Sequence, residues 1–461
     1  APAPRGGFLV ALRDTTGDGV ADVRVRFGDS VRSGGIGGTG IALYDGDLFV
    51  ETNDKIVRYD LPADAITPNA APTTVVSGLP LTGDHPAHPF AIGSGGALYV
   101  NSGSATNACG VRDRTPGSRG RDPCTELTTR AGIWRYDATR TGQTFSPAVR
   151  FATGIRNAIG ITIGPSGALY ATQHGRDQLT ESWPALYTAE QGQNLPAEEL
   201  LQVEEGGDYG WPYCYYDDTK RQRVLAPEYG GNGSDVGRCA PMGAPAATFP
   251  AHSARNGVVF YSGSRFPARY RGGAFIAFHG SWNRAPGPQG GYNVVFVPFS
   301  GASPSGPFET FADGFAGPEK SPDRPAHRPS GLAVGPDGAL YIADMYTGLV
   351  QHGLYVTPYL REQTLKRKLV KPINRGRIWR IVPENWKPAA PKNLSDLPLG
   401  DLVELLSHPE GWYRDVAQRL LVEQADKKVK PLLDKVIVEG ISPFGRFHAL
   451  WTLEGLNLLE S

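Results

Sequence analysis

No run of 18 apolar residues occurs in this chain of 461, which excludes an ordinary transmembrane helix. Neither charge is in excess, since 46 Lys and Arg are matched by 46 Asp and Glu. A neutral chain lacks the basic field by which proteins hold nucleic acid or an anionic membrane surface. There is no initiator methionine. The start, Ala1-Pro2-Ala3-Pro4, also lacks the apolar core of a signal peptide and reads as a mature or trimmed end. Cysteine is scarce, with four residues and neither a CxxC nor a CxxCH spacing. Zinc-ribbon ligation and covalent c-type haem therefore have no footing. The four fall as two local pairs in Gly/Pro/Asp-rich loops. That favours two disulfides, Cys109–Cys124 and Cys214–Cys239, and a periplasmic or secreted protein, over free thiols in the cytosol.

What is abundant is turn chemistry. Glycine (59) and proline (39) make up about a fifth of the chain, against a usual share of about 12%. One pattern recurs: an apolar run, a Gly/Asp/Pro turn, and a second apolar run ending in an aromatic. It appears at residues 40–50 (GIALYDGDLFV), 89–100 (PFAIGSGGALYV), 159–171 (IGITIGPSGALYA), 257–277 and 331–343 (GLAVGPDGALYIA). Each reads as an antiparallel hairpin. An outer strand often follows, as in KIVRY (55–59) and GIWRY (132–136). Hairpin plus outer strand, repeated, is the mark of propeller blades. Five units are visible, and the hairpin at residues 8–27 supplies strands for a sixth. The expected fold is therefore all-β: a six-bladed propeller over residues 1–383. A linker at 384–395 and a helical segment at 396–461 follow. In that segment leucines recur at helical spacing, which suggests HEAT-like repeats.

Three constellations stand out. DTTGDGVAD (14–22) places Asp14, Thr16, Asp18 and Asp22 at calcium-loop positions 1, 3, 5 and 9 with Gly19 at 6, but position 12 is Val25. A calcium-stabilised hairpin and a plain Asp/Gly turn remain alternatives. Seven of the nine histidines lie in the propeller, mostly where strands begin or end. They include His85, His88, His174, His252, His279 and His327. Strand ends converge on one face of a propeller channel, so these histidines are candidates for proton transfer or cofactor contact. Singly, each also reads as an ordinary loop histidine. Arg156 and Arg328 stand at equivalent blade positions. They suit a polyanionic ligand, or interblade ion pairs.

The motifs GIRNAIG (154–160), ALYATQHG (168–175), EELLQVEEGGDYGWP (198–212), HSARNGVVFYSG (252–263), HGSWNR (279–284) and HRPSGLAVGPDGALYIAD (327–344) occur in this order. Together they resemble the soluble pyrroloquinoline quinone (PQQ)-dependent sugar dehydrogenases, over roughly residues 6–382. The sorbosone-dehydrogenase-like branch is the nearest. From Arg328 onward the run is also similar to large exported dehydrogenase-like proteins with helical repeats. The resemblance implies PQQ on the channel axis with a calcium ion beside it. It implies His85 as general base and Arg156 with Asn157 on the quinone side of PQQ. His174, where relatives often carry Gln, and His252, His279, Trp282, Arg284, Arg328 and Asp344 are implied as cofactor contacts. The backbone carbonyls of Gly175 and Arg176 are the implied calcium ligands. His88, where relatives carry Arg, suggests an altered substrate mouth. The loop at 177–197 and the insertion at 346–372 also depart from the compact enzymes.

The expected function is an exported quinoprotein oxidoreductase. It oxidises a sugar or another alcohol or aldehyde substrate and passes electrons to an external acceptor, a cytochrome c or a quinone. A propeller that has lost PQQ and serves as a binding module, and a calcium-dependent lactonase, are the rivals.

Overall fold

A computed structural model describes residues 7–28, 37–62, 65–280, 284, 289–317, 327–346, 358–366, 368, 370, 375–384, 394–409 and 411–459. Local turn chemistry sets its strand pairs. Strands Gly37–Tyr44 and Asp47–Thr52 register Tyr44 opposite Asp47, leaving a two-residue loop. Asp45 (φ 49°) and Gly46 (φ 81°) fill it with left-handed backbone, the geometry that matches strand twist.

Among the described residues five antiparallel sheets form blades. Blade 1 runs outward through Gly37–Tyr44, Asp47–Thr52, Lys55–Tyr59 and Thr73–Ser77, with Gln143–Thr144 added in parallel at its rim. Blade 2 comprises Phe90–Ile92, Ala97–Ser102, Gly132–Asp137 and Arg150–Thr153. Blade 3 comprises Ile161–Ile163, Leu169–Gln173, Glu198–Val203 and Ala247–Phe249. Blade 4 comprises Arg255–Phe260, Ala274–Phe278, Asn293–Val297 and Glu309–Ala312. Blade 5 has three described strands, Arg328–Val334, Leu340–Met345 and Gly376–Ile381. The inner strand of each blade packs on that of the next.

Between blades the core is apolar, because a blade strand shows alternate residues to its two neighbours. In Leu169–Gln173, Leu169 and Ala171 enter the cluster shared with blade 2 (Ile133, Phe151). Tyr170 enters the cluster shared with blade 4 (Val258, Ile276). The strand is consequently buried along its whole length.

The expected sixth blade is absent among the described residues. The N-terminal strands Leu9–Arg13 and Val23–Phe27 pair only with each other. The reason lies in the sequence VRVRF (23–27), in which arginines alternate with apolar residues. Such a strand has one apolar face, and a blade needs two. That face packs Phe8, Leu9 and Phe27 onto Val50, Val57 and Tyr59 of blade 1. The long stretch between the outer strands of blade 3 holds one pair of strands, the hairpin Cys214–Asp217/Gln222–Leu225, and two short 3-10 helices, Pro227–Tyr229 and Gly237–Cys239. Both disulfides are formed as expected, Cys109–Cys124 and Cys214–Cys239.

Helices Leu399–Leu405, Gly411–Gln424, Lys430–Glu439 and Pro443–Gly455 bury a separate leucine-rich core. Ser442 caps the last helix by accepting the Gly445 N–H at 3.1 Å, with Pro443 opening the first turn, the arrangement helix starts favour. Most of the expected linker lies outside the described residues. Helix Pro358–Lys366 stands within the insertion of blade 5. No helix of the described residues is long and apolar enough to cross a membrane.

One buried carboxylate ties blades 1 and 2 together. Glu51, 1% exposed, accepts the Thr39 and Gly40 N–H groups at 2.8 and 2.9 Å and the His88 N–H at 2.5 Å. Glu51→Ala leaves these donors without their acceptor. It should cost about 3 kcal/mol or more, while Glu51→Gln, which keeps one acceptor oxygen, costs less. Urea unfolding midpoints of the two variants check the order.

Candidate functional site

Inner strands begin, and second strands end, on one face of the propeller, and the signature residues gather there. The starts are held by polar side chains from the neighbouring strand end. Gln173 Oε1 accepts the Arg156 N–H at 2.9 Å, and Asp344 Oδ1 accepts the Arg328 N–H at 2.7 Å. Asp344, 3% exposed, also accepts Trp379 Nε1–H at 2.9 Å and faces His327 Nδ1 at 2.7 Å. It is a strand clamp within blade 5.

His85 turns Nδ1 toward Ser104, 3.0 Å from both its carbonyl and its hydroxyl oxygen. Nδ1–H therefore donates, and Nε2 keeps the lone pair. Burial first, and then the Arg156 cation, hold its pKa well below the usual histidine value. Gly103 makes room for it: a Cβ there would fall 2.5 Å from His85 Cβ and 3.1 Å from Asn157 Oδ1. Asn157 is buried, and its Oδ1 has no hydrogen-bond partner.

Arg156, 3% exposed, is fully engaged. Its Nε–H and Nη2–H donate to Asn107 O at 3.1 Å and Asn107 Oδ1 at 2.9 Å. Nη2 also meets Asp177 Oδ2 at 3.1 Å, and Nη1–H donates to the Gly175 carbonyl at 2.8 Å. The Arg176 side chain turns away and pairs with buried Glu228. Burial alone would raise the Asp177 carboxyl, but Arg156 and Arg114 overcome it and hold it at about 2.

His174 donates Nε2–H to the Arg255 carbonyl at 2.6 Å, and burial beside Arg255 lowers its pKa to about 3. His279 is lowered to about 4 by burial and by Arg328. Its Nδ1 is buried without a partner. Arg328 Nη1–H donates to the His279 carbonyl at 3.1 Å. Trp282 lies outside the described residues.

Two expected cofactor contacts instead brace the loop at 177–197. His252 Nε2–H donates to Gly192 O at 3.0 Å. Arg284 Nη1–H donates to Gln193 O and Ala251 O at 2.8 and 3.0 Å. Both grip the C-terminal end of helix Ala189–Asn194, where cations and donors are favoured. His88 does not shape a substrate mouth either. It is fully buried, with its ring nitrogens 2.8 Å from the Asn101 and Pro80 carbonyls. The loop at 14–22 closes on itself. Asp14 accepts the Thr16, Gly17 and Gly19 N–H groups and Asp22 accepts that of Thr15.

Sequence reasoning missed Arg255, Asp177 and Asn107. Arg255 is fully buried, with Nη2 on Glu198 and the Gln173 carbonyl. Its Nε and Nη1 have no partner. A signal existed, since Arg-Asn stands at both 156–157 and 255–256, shortly before the inner strand of blade 3 and at the start of that of blade 4. Asp177 and Asn107 carried no comparable pattern.

The site is thus rich in buried donors and poor in free carboxylate. Among the described residues no cluster of three His, Cys, Asp or Glu side chains could hold a metal.

Comparison with known proteins bears on the family and the fold. A family model described as TrAA12-like matches residues 35–351. The chain belongs to the TrAA12-like family. A domain of unknown function, DUF7133, matches residues 320–385, the stretch where a second resemblance was expected. The calcium structure of a Trichoderma reesei enzyme of Carbohydrate-Active Enzymes Family AA12 is 21% identical, with a TM-score of 0.57. The match covers 72% of this chain and 84% of that one. The holo pyranose dehydrogenase PQQ domain of Coprinopsis cinerea is 20% identical, with a TM-score of 0.55, over 74% of this chain and 86% of that one. At these identities the likeness to the two structures is one of fold. An uncharacterized protein of Borreliella burgdorferi is 27% identical over 209 residues. The match covers 44% of this chain, which spans about half (48%) of that relative's length.

The shifted groups set an acid sensitivity. His174 and His279 have folded pKa values of about 3 and 4, below the unfolded value of about 6.5. The unfolded state therefore binds more protons below pH 6.5, and stability must fall on acidification through that point. Asp177, depressed to about 2, adds a second loss between about pH 4 and pH 2. Melting temperatures from pH 8 to 3 should decline in the first window. A flat profile from pH 7 to 4.5 would contradict the buried neutral histidines.

Proposed function

We propose that this chain is an exported quinoprotein oxidoreductase that oxidises a sugar or a related alcohol or aldehyde substrate. The observation that carries the proposal is a neutral His85 set in a buried centre with more cationic donors than acceptors.

PQQ is a small polyanion with three carboxylates and an ortho-quinone. The residues present fit it. Arg255 Nε and Nη1 and His279 Nδ1 are buried without partners, a cost that a carboxylate ligand would relieve. Arg328 and Arg255 would hold carboxylates, and Asn157 would sit by the quinone. When bound, PQQ supplies a two-electron hydride acceptor that the protein's own side chains lack.

The chain's part is positioning and proton transfer. His85 Nε2 takes the proton of the substrate hydroxyl as hydride leaves the carbinol carbon, and the imidazole becomes imidazolium. The Ser104 carbonyl, which accepts Nδ1–H, stabilises that cation. Asp177, held anionic near His85, adds to the stabilisation. Electrons then pass to an external acceptor, a cytochrome c or a quinone. Two disulfides fit an oxidising compartment, the periplasm or the exterior.

Calcium is another matter. The Gly175 carbonyl implied as its ligand accepts Arg156 Nη1–H, and the neighbouring carboxylate is already paired. The residues present do not fit the ion, and no step is routed through it.

His85→Ala should lower turnover by about 10³-fold or more with PQQ affinity within a few-fold of the parent. Quinone absorbance titration and dye reduction over a panel of aldoses and alcohols measure both. Full activity in the variant removes His85 from the mechanism. Absence of PQQ binding by the parent chain leaves the binding-module reading.

A further inference from the structure

Four acceptors surround the Arg156 guanidinium, and one of them is the Gly175 carbonyl at 2.8 Å. The others are Asn107 O at 3.1 Å, Asn107 Oδ1 at 2.9 Å and Asp177 Oδ2 at 3.1 Å. These three lock its orientation, and Asn107 is itself locked. Its Nδ2–H donates to the Asp177 carbonyl at 2.9 Å, and its Oδ1 accepts the Asp177 N–H at 2.9 Å. Its carbonyl also accepts Trp211 Nε1–H at 3.0 Å, and its own N–H donates to Asp113 Oδ1 at 3.0 Å. Asn107 stands two residues before Cys109, whose disulfide closes this loop on Cys124. The guanidinium is therefore built into place.

A calcium ion on the Gly175 carbonyl would sit about 2.4 Å from that oxygen. It would lie within about 5 Å of the guanidinium, and two cations that close in a buried site repel strongly. Calcium also takes six to eight oxygen ligands, drawn from carboxylates, carbonyls and waters. Asp177 is already neutralised by Arg156 and Arg114, and Glu199, which lines the same cavity as Gly175, is paired with Arg223. Glu228 is engaged by the Arg176 side chain.

We infer that in this chain the cation beside the cofactor is the Arg156 guanidinium, and that the site takes PQQ without calcium. The inference rests on the PQQ reading above. The clamp Asn107–Arg156–Asp177 supplies the fixed positive charge next to the quinone side. The guanidinium donors are committed to Asn107, Gly175 and Asp177, so the group acts as a fixed charge, where a metal ion would bring open coordination positions. Asn107 is thereby a positioning residue, acting through Arg156.

The test separates the two readings. Purified protein is stripped with EDTA and titrated with PQQ, with EDTA or with calcium in excess, and quinone absorbance is followed. The expected result is the same affinity, within about threefold, and less than about 0.1 calcium per chain by elemental analysis of the loaded protein. PQQ binding that appears only with calcium overturns the inference and keeps the function. PQQ binding under neither condition overturns the function. In that case the inference, which rests on that reading, falls with it, whereas binding that requires calcium overturns the inference alone. Arg156→Gln vacates the Gly175 carbonyl and should make PQQ binding calcium-dependent, or weaker by at least about tenfold. A variant that binds PQQ as the parent does, with no calcium, refutes the role of Arg156. Should Arg156→Gln fail to fold, the parent titrations still decide.

Discussion

The start of an inner strand, gripped by a polar side chain from the end of its neighbour, is the contact on which the rest of this molecule depends. Glu51 holds Thr39 and Gly40 in blade 1, Gln173 holds Arg156 in blade 3, and Asp344 holds Arg328 in blade 5. An inner strand of a propeller has no sheet partner on its channel side, so its first N–H groups need another acceptor. Supplying one from the same blade fixes the loop before the strand. In blades 3 and 5 the residue held in this way is itself a buried arginine of the site. A structural requirement of the fold thereby aims the functional groups.

Charge is the second constraint. The chain is neutral overall, yet its functional face concentrates buried arginines. Most have a carboxylate partner: Arg223 with Glu199, Arg255 with Glu198, Arg176 with Glu228 and Arg156 with Asp177. Buried ions need such partners to offset lost hydration. Where the pairing is incomplete, at Arg255 and beside His279, the field is positive and the nearby histidines stay neutral. An anionic ligand suits such a place, and a neutral imidazole is what a base requires. The same positive field disfavours a metal ion.

Much of this was readable in advance. Hairpins show in the sequence because their turns demand residues such as Asp45-Gly46, and blades because the hairpin repeats. The disulfides followed from even cysteines in local pairs, and the helical tail from leucine spacing. The count of blades was not readable. The N-terminal hairpin has strand composition, and only its pairing, internal to itself, reveals that it is a flap on blade 1. His88, His252 and Arg284 looked functional because they stand at strand ends in motif-like strings. Each is spent on carbonyls that arrive from distant parts of the chain, such as Pro80 and Gly192.

The sequence by itself determined the local conformations, the repeat and the chemical inventory: histidines and arginines at strand ends and little free acid beside them. These depend on near neighbours in the chain, whose spacing is covalent. Only the tertiary structure decided which donors remain available. Asn107, Gly175 and Asp177 converge on Arg156 from up to 49 residues away, so its partners depend on how blades pack. A guanidinium aimed at a ligand and one committed to a carbonyl share one letter, and the fold alone separates them.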